Sequence, residues 1–260
     1  MAQTASKGKV LIILSGANTI HLKEGKDQKT GYFLSELGHP LMKILEAGYD
    51  VVFANPTGTH PVQDPISELL IWFLGNYKER EREHALIDKM KIESNFASPR
   101  PFASLTDDDL STFVGVFIPG GHAPMQDLHN DKELARILGH FHRMAKPTGA
   151  ICHGPAALLS TKTEEGCPYS GYKVTAYSNT EDKLNEIMWW GTLPYKLVDE
   201  LEKAGLKCEE TFPMGSKVTV DRELVSGQNP SSASAFGDAF VKKLNESVTL
   251  GGTGVHAKEI

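Results

Sequence analysis

The chain has 260 residues, enough for one large α/β domain or two small ones, and a 40% hydrophobic share can form a core without disulfides or metal. Its formal net charge is −6, so nothing in the composition favours a nucleic acid or an anionic membrane as a partner. The chain has three widely spaced cysteines, Cys152, Cys167 and Cys208, and no CxxC pair. This argues against a disulfide framework or a thiolate zinc site and indicates a reducing compartment, which we expect to be the cytoplasm.

The first residues predict a buried strand and no targeting segment. Residues 1–9 lead directly into the apolar run 10–15 and contain no signal-peptide core. This run is rich in β-branched residues and ends in Gly16, which is typical of a central parallel strand buried on both faces. No apolar run in the chain approaches the length of a transmembrane helix.

A strand–helix–strand unit opens the fold. Apolar residues recur at helical spacing over 35–47, and Gly48 ends that run. A second strand is predicted over 49–54 and is closed by Asn55-Pro56. Such a unit predicts a right-handed crossover and a parallel sheet.

Residues 57–101 interrupt this alternation. A turn-rich stretch is followed by an apolar and aromatic stretch over 67–77 and by a dense run of charge over 78–91, which is typical of a solvated helix face. Because the segment follows the second strand, we expect a small inserted helical and loop subdomain that acts as a lid near the site.

The α/β pattern continues to the end of the domain. We predict a strand that runs into a glycine turn over 113–122, an amphipathic helix over 127–142, a strand over 172–177, a helix over 193–204, a hairpin over 217–226 and a closing helix over 231–244. Residues 1–245 are therefore treated as a single domain, and 246–260 as a C-terminal tail.

Residues 149–159 have the pattern of a strand that turns sharply into a helix. The run 144–151 predicts a buried strand, and Pro155 with the small and apolar residues after it predicts a helix start. Cys152 and His153 lie at the turn, where a nucleophile elbow places its reactive group. A lone cysteine is more often a small buried hydrophobe, but this context favours a nucleophile. The helix N-terminus is expected to lower the pKa of the thiol.

Two further strand ends should converge on this turn, because ligands of open α/β sheets bind at the carboxyl ends of the strands. Gly120 and Gly121 follow the third predicted strand, and their backbone N–H groups, with that of His153, could stabilise an oxyanion. The segment 177–182 supplies acidic side chains after the next strand.

A thiol, an imidazole and an orienting acid form the triad expected of a cysteine nucleophile. Cys152 and His153 supply the first two groups, and either Asp182 or Glu181 the third. Glu36, at the start of the first crossover helix, is a second candidate acid. In an apolar setting near a thiol, its pKa would be raised and it could share or carry a proton.

The motifs 119–122, 150–157 and 226–233 resemble those of the ThiJ/PfpI superfamily. Its members share a flavodoxin-like domain with class I glutamine amidotransferases, which implies a doubly wound, mostly parallel sheet flanked by helices. The chain length, the insertion and the Cys-His-Gly-Pro elbow resemble the heat-shock chaperone and glyoxalase III branch.

The resemblance also implies roles and an activity. Cys152 matches the nucleophile, and His153, Asp182 and Glu36 match its partners. The branch converts methylglyoxal, a small 2-oxoaldehyde, to D-lactate without glutathione, and holdase and deglycase activities are attributed to it as well. A homodimer without a cofactor is implied. Some members bind a metal near the first crossover helix, but Leu45 occupies the position expected for a histidine ligand, so no metal is predicted.

Three other functions were weighed. A class I amidotransferase needs a His-x-Glu motif near the C-terminus, and 256–259 has the wrong spacing. A peptidase needs an open site, which the insertion is expected to narrow. A holdase chaperone would bind unfolded proteins through exposed apolar surface. Residues 66–77 and 187–190 could supply that surface, or could instead be core or dimer interface.

Overall fold

The structure, a computed structural model, describes residues 6–252. Its strands are β1 (Lys9–Ile13), β2 (Thr19–His21), β3 (Asp27–Lys29), β4 (Asp50–Asn55), β5 (Arg100–Pro101), β6 (Phe113–Ile118), β7 (Thr148–Ile151), β8 (Lys173–Val174), β9 (Lys207–Cys208), β10 (Val218–Asp221) and β11 (Leu224–Gly227). Its α-helices are α1 (Leu34–Glu46), α2 (Tyr77–Glu93), α3 (Asp107–Thr112), α4 (Pro124–Asp127), α5 (Lys132–Arg143), α6 (Asn179–Trp189), α7 (Leu197–Lys203) and α8 (Ala233–Gly252). Short 3₁₀ helices span Pro65–Glu68, Leu70–Phe73, Phe102–Ser104, Gly154–Thr161 and Pro230–Ser232.

A seven-stranded sheet in the order β10-β11-β7-β6-β1-β4-β5 forms the centre. All of its pairs are parallel except β10 with β11. The chain runs outward from β1 to β4 and returns to β6 on the other side of β1, as in a flavodoxin-like sheet. The predicted doubly wound fold is therefore confirmed.

Helices cover both faces of the sheet. Successive side chains of a strand point to opposite faces. Accordingly, Leu11 and Ile13 of β1 join the core cluster under α5, whereas Val10 and Ile12 join the cluster under α1 and α8. Burial on both faces explains why β1 is a continuous apolar run.

The inserted segment packs onto the same core. Its two 3₁₀ helices, Pro65–Glu68 and Leu70–Phe73, precede α2, which packs against α1. Phe96, in the loop after α2, is fully buried, and β5 then pairs with β4 at the edge of the central sheet. The insertion is therefore a helical and loop layer beside the strand ends, as predicted.

Several predicted bounds are wrong for identifiable reasons. The helix predicted over 127–142 begins only at Lys132, because the Asp131 side chain accepts a hydrogen bond from Leu134 N–H at 2.8 Å and caps it. The strand predicted over 172–177 shrinks to β8, which pairs with β9 outside the central sheet. The helix predicted over 193–204 begins at Leu197.

Other elements gave no recognised signal. The hairpin of β2 and β3, the helix α6 and the strand β9 were not predicted. The closing helix, predicted to end at Leu244, continues to Gly252. The rest of the predicted tail, with the 256–259 segment, lies outside the described residues. Within residues 6–252, no helix is both long and apolar enough to cross a bilayer.

Candidate active site

Cys152 occupies a strained turn between β7 and the 3₁₀ helix Gly154–Thr161. Its φ is 60°, in the left-handed region, which costs a non-glycine residue about 1–3 kcal/mol. Two backbone hydrogen bonds hold it there: Cys152 N–H donates to Gly227 O at 2.9 Å, and Cys152 O accepts from Tyr177 N–H at 2.9 Å. This is the geometry of a nucleophile elbow, with sulfur as the reactive atom.

Gly120 lets the end of β6 approach this elbow. A Cβ at Gly120 would lie 2.6 Å from the Cys152 Cβ and would collide with a Glu36 carboxyl oxygen. Gly121 follows with φ of 87°, and its N–H lies near both the thiol and the Glu36 carboxyl. Both glycines are therefore at the elbow, and the Gly121 N–H lies close to the reactive groups.

His153 connects the thiol to a buried carboxylate. Its Nδ1 lies 3.4 Å from Cys152 Sγ, and its Nε2 lies 2.9 Å from Asp182 Oδ1. Burial disfavours the Asp182 carboxylate, but the imidazoles of His153 and His122 outweigh this and hold the pKa of Asp182 well below its usual range. An ionised Asp182 accepts the Nε2–H, which leaves Nδ1 of His153 as an acceptor toward the sulfur.

The Cys152 thiol shares its environment with Glu36. Burial raises the pKa of the Glu36 carboxyl to about 8, although the thiol and the N–H of Gly121 oppose this shift. Burial and the Glu36 carboxylate raise the pKa of the Cys152 thiol well above its ordinary value. The prediction that the helix N-terminus lowers the thiol pKa is therefore wrong, because burial and the Glu36 carboxylate raise it. Each group disfavours a negative charge on the other, so the thiolate forms while Glu36 is protonated.

Ser178 and Glu181 set the position of α6. The Ser178 hydroxyl accepts from Glu181 N–H at 3.2 Å, while a Glu181 carboxyl oxygen accepts from Ser178 N–H at 3.0 Å. The same carboxylate also accepts from Gln228 Nε2 and Asn229 Nδ2 at 3.0 and 2.8 Å. Glu181 thus ties α6 to the end of β11, and the structure places Asp182, rather than Glu181, against His153.

His122 is a site residue that the sequence analysis quoted in a motif but did not select. Its Nε2 lies 3.3 Å from Asp182 Oδ1, so two imidazoles share one carboxylate oxygen. The rings of His122 and His153 lie 4.0 Å apart between centroids. The sequence feature that could have identified His122 is its position after the glycine pair at the end of a strand.

A narrow cavity lies over the thiol. Its walls are mainly apolar and are supplied by several elements, including the inserted segment; the lining residues are Phe33, Asp64, Ile66, Trp72, Gly121, His122, Cys152, Tyr177, Asn185 and Pro230. Asp64, which no sequence signal marked, caps the 3₁₀ helix Pro65–Glu68 by accepting from Ile66 N–H at 2.9 Å. The cavity is narrow, so it suits a small molecule and not a large one.

Three buried side chains of the site also lie close enough together to hold a metal ion. Ligand atoms of His122, His153 and Asp182 lie within 4.8 Å of one another, and imidazole and carboxylate are ligands of zinc. The same contacts are accounted for by two imidazoles that donate to one carboxylate oxygen. That the chain uses no metal or other cofactor stays a prediction.

A family model and a curated relative each match most of this chain. A family model described as DJ-1/PfpI matches residues 31–243. The Protein/nucleic acid deglycase HchA of Staphylococcus aureus (strain JH9) is 29% identical over 245 residues, which are 92% of this chain and 80% of that protein.

Two solved structures have the same fold. Glyoxalase III from Candida albicans superimposes with a TM-score of 0.73 at 24% identity, covering 92% of this chain and 98% of the other. The Rapid Encystment Protein of 24 kDa from Francisella tularensis also gives 0.73 at 24% identity, covering 91% and 99%.

Proposed function

The chain belongs to the DJ-1/PfpI family, and on that premise we propose that it is a cysteine enzyme that converts 2-oxoaldehydes to 2-hydroxy acids without glutathione. Methylglyoxal is the proposed substrate and D-lactate the product, so that the enzyme detoxifies reactive aldehydes under stress as a glyoxalase III. The observation that carries the proposal is the strained Cys152 elbow, with Glu36 on one side, His153 and Asp182 on the other, and a small cavity above.

The cavity favours a small neutral substrate. Its apolar walls include Phe33, Ile66 and Trp72, and Trp72 is held in place because its Nε1–H donates to Ile66 O at 2.9 Å. The inserted segment thus roofs the thiol, which keeps water away from the reactive intermediates. Such a narrow space favours a three-carbon dicarbonyl over a polypeptide backbone.

Addition of the thiolate is the first step. With Glu36 protonated, the Cys152 thiolate sulfur attacks the aldehyde carbon C1, a C–S bond forms, and the carbonyl electron pair moves to O1. The N–H groups of Gly120, Gly121 and His153 are the proposed donors to this oxyanion. Transfer of the Glu36 proton to O1 gives a neutral hemithioacetal.

Isomerisation and hydrolysis complete the turnover. A base removes the proton from C1, the electron pair forms a C1–C2 double bond, and O2 is protonated to give an enediol. Protonation of C2 and loss of the O1 proton then produce a thioester of the 2-hydroxy acid. Water cleaves the C–S bond and releases the acid with the free thiol, so the net change is the addition of one water. The sequence pointed to Glu36 or His153 as the proton carrier.

The proposal is tested by assaying D-lactate from methylglyoxal with no glutathione present. The wild type is expected to form D-lactate, and Cys152→Ala to fall to the uncatalysed rate. Cys208→Ala is the matched control, because this half-buried thiol lies outside the cavity and burial raises its pKa to about 12. Equal inactivity of the wild type and Cys152→Ala would contradict the enzymatic function.

A second candidate is a holdase or protein deglycase, and exposed apolar surface favours it. Leu74 is 97% exposed and Trp190 is 87% exposed, values that are unusual for large apolar side chains. The HchA relative is named a protein/nucleic acid deglycase, a substrate class larger than the cavity holds. Such activity would need the segment 65–77 to move aside.

A further inference from the structure

Only one of the two imidazoles at Asp182 faces the substrate cavity. His122 is among the described residues that line the cavity, and His153 and Glu36 are not. His153 is fully buried, and both of its ring nitrogens already have partners, Cys152 Sγ and Asp182 Oδ1. It cannot reach a bound substrate without breaking one of these contacts.

The free nitrogen of His122 is an acceptor. Asp182 Oδ1, held ionised by its two histidines, lies 3.3 Å from Nε2 and therefore fixes the proton on that nitrogen. Asn185 Nδ2, at 3.5 Å from the same nitrogen, is the weaker contact. Nδ1 of His122 has no hydrogen-bond partner among residues 6–252, and the residue keeps 7% of its surface exposed.

We propose that His122 is the catalytic base that carries the substrate proton from C1 to C2. The inference rests on the proposed function and deepens it. After thiolate addition, Nδ1 takes the C1 proton while the C1–H electron pair forms the C1–C2 double bond and the C2 carbonyl pair moves to O2. The imidazolium then returns this proton to C2, the electron pair of the O1–H bond forms the C1 carbonyl of the thioester, and the O1 proton passes to O2 to give the 2-hydroxyl. Glu36 keeps the role of protonating O1 in the first step.

The surroundings of His122 suit both of its protonation states. Burial and the neighbouring His153 lower its pKa, so the ring is neutral and basic at rest. Asp182 and Asp64 favour the charged form and stabilise the imidazolium once the proton has moved. Trp189 packs edge-on at 4.6 Å between ring centroids and restricts the ring's rotation.

The test uses His122→Gln, which keeps a polar side chain of similar reach but lacks the base. We expect kcat for D-lactate formation to fall about 10²- to 10³-fold with little change in KM. With methylglyoxal deuterated at C1, the isotope effect on kcat should rise, because C–H cleavage becomes fully rate-limiting. Alkylation of Cys152 by iodoacetamide should keep its wild-type rate. His129→Gln, whose half-buried ring lines a different cavity, is the control.

Each contrary result identifies its cause. No lactate from the wild type overturns the proposed function and this inference with it. Lactate formation by His122→Gln within twofold of the wild type overturns the inference alone. A lower kcat without a larger isotope effect, or with Cys152 alkylation slowed to the same degree, assigns His122 a structural role and also overturns it.

Discussion

Glu36 is a buried carboxyl whose protonation depends on its neighbours. In the unfolded chain it loses its proton near 4.5, whereas burial in the fold raises the pKa to about 8. A raised pKa means that the folded state holds the proton that the unfolded state releases. The free energy of unfolding therefore falls as the pH rises from about 4.5 to about 8.

Glu36→Gln should make the protein more stable and less active. The variant removes the ionisable group, so we expect it to be more stable than the wild type by about 2–4 kcal/mol at pH 8, with a much smaller difference at pH 5. Without the proton donor, kcat should fall by about 10²-fold. Urea denaturation at both pH values, together with the lactate assay, measures the two effects.

The control for this residue is Glu46→Gln, an exposed carboxyl on the same helix. It should change neither property. A stability gain for Glu36→Gln that is equal at pH 5 and pH 8 would show that the buried proton is not the cause.

At the scale of elements, α6 depends on a single carboxylate. Glu181 is fully buried and accepts hydrogen bonds from Ser178, Gln228 and Asn229, and also from Met214 N–H at 2.9 Å. This network explains the Gly-Gln-Asn-Pro motif: its amides hold the helix that presents Asp182. The motif supports the site from a distance and does not itself belong to the cavity lining, apart from Pro230.

Glu181→Gln should therefore destabilise the protein and weaken the site. The new amide N–H₂ faces donors instead of accepting from them, so we expect a loss of about 2–4 kcal/mol in the free energy of unfolding. As Asp182 is no longer held in place, kcat should fall as well. Lys183→Gln, exposed on the same helix, is the control. Wild-type stability of Glu181→Gln in urea denaturation would refute this account of α6.

At the scale of the whole molecule, two stretches of the chain each carry several exposed apolar side chains. One patch, Leu69, Leu70, Ile71, Leu74 and Tyr77, lies on the inserted segment, and the other, Leu184, Ile187, Met188 and Trp190, lies along α6. These side chains are not part of the core, although Phe73 and Trp189 of the same two segments do pack in it or against it. A holdase surface or a dimer interface remains for them.

Holdase action and catalysis should be separable by variants. Ile187→Ser combined with Trp190→Ser should lower the suppression of aggregation several-fold, because it removes exposed apolar area, and should leave lactate formation near the wild-type rate. Cys152→Ala should instead abolish lactate formation and leave the suppression of aggregation unchanged. Light scattering of an unfolding client protein measures the suppression of aggregation. Sedimentation measures the oligomeric state: a dimer that becomes a monomer in the double variant would assign the α6 patch to self-association instead.

Much of the fold could be predicted from local pattern. The strands β1, β4 and β6 and the helix α1 follow from apolar periodicity with glycine and proline at their ends, and they lie within a few residues of the prediction. The Cys152 elbow was also predicted, because its strand, turn and helix signals are contiguous in the chain.

What the sequence alone determined is thus the set of elements and the motif residues; what the tertiary structure decided is how remote residues meet. The strand at 172–177 is short because its pairing partner is β9 and not the central sheet. Asp182 and not Glu181 faces His153 because amides 47 and 48 residues later hold Glu181. The pKa of the Cys152 thiol is raised by burial and by Glu36, which lies more than a hundred residues away in the chain. Local patterns encode local backbone preferences, whereas electrostatic and hydrogen-bond energies depend on distances that exist only once the chain has folded.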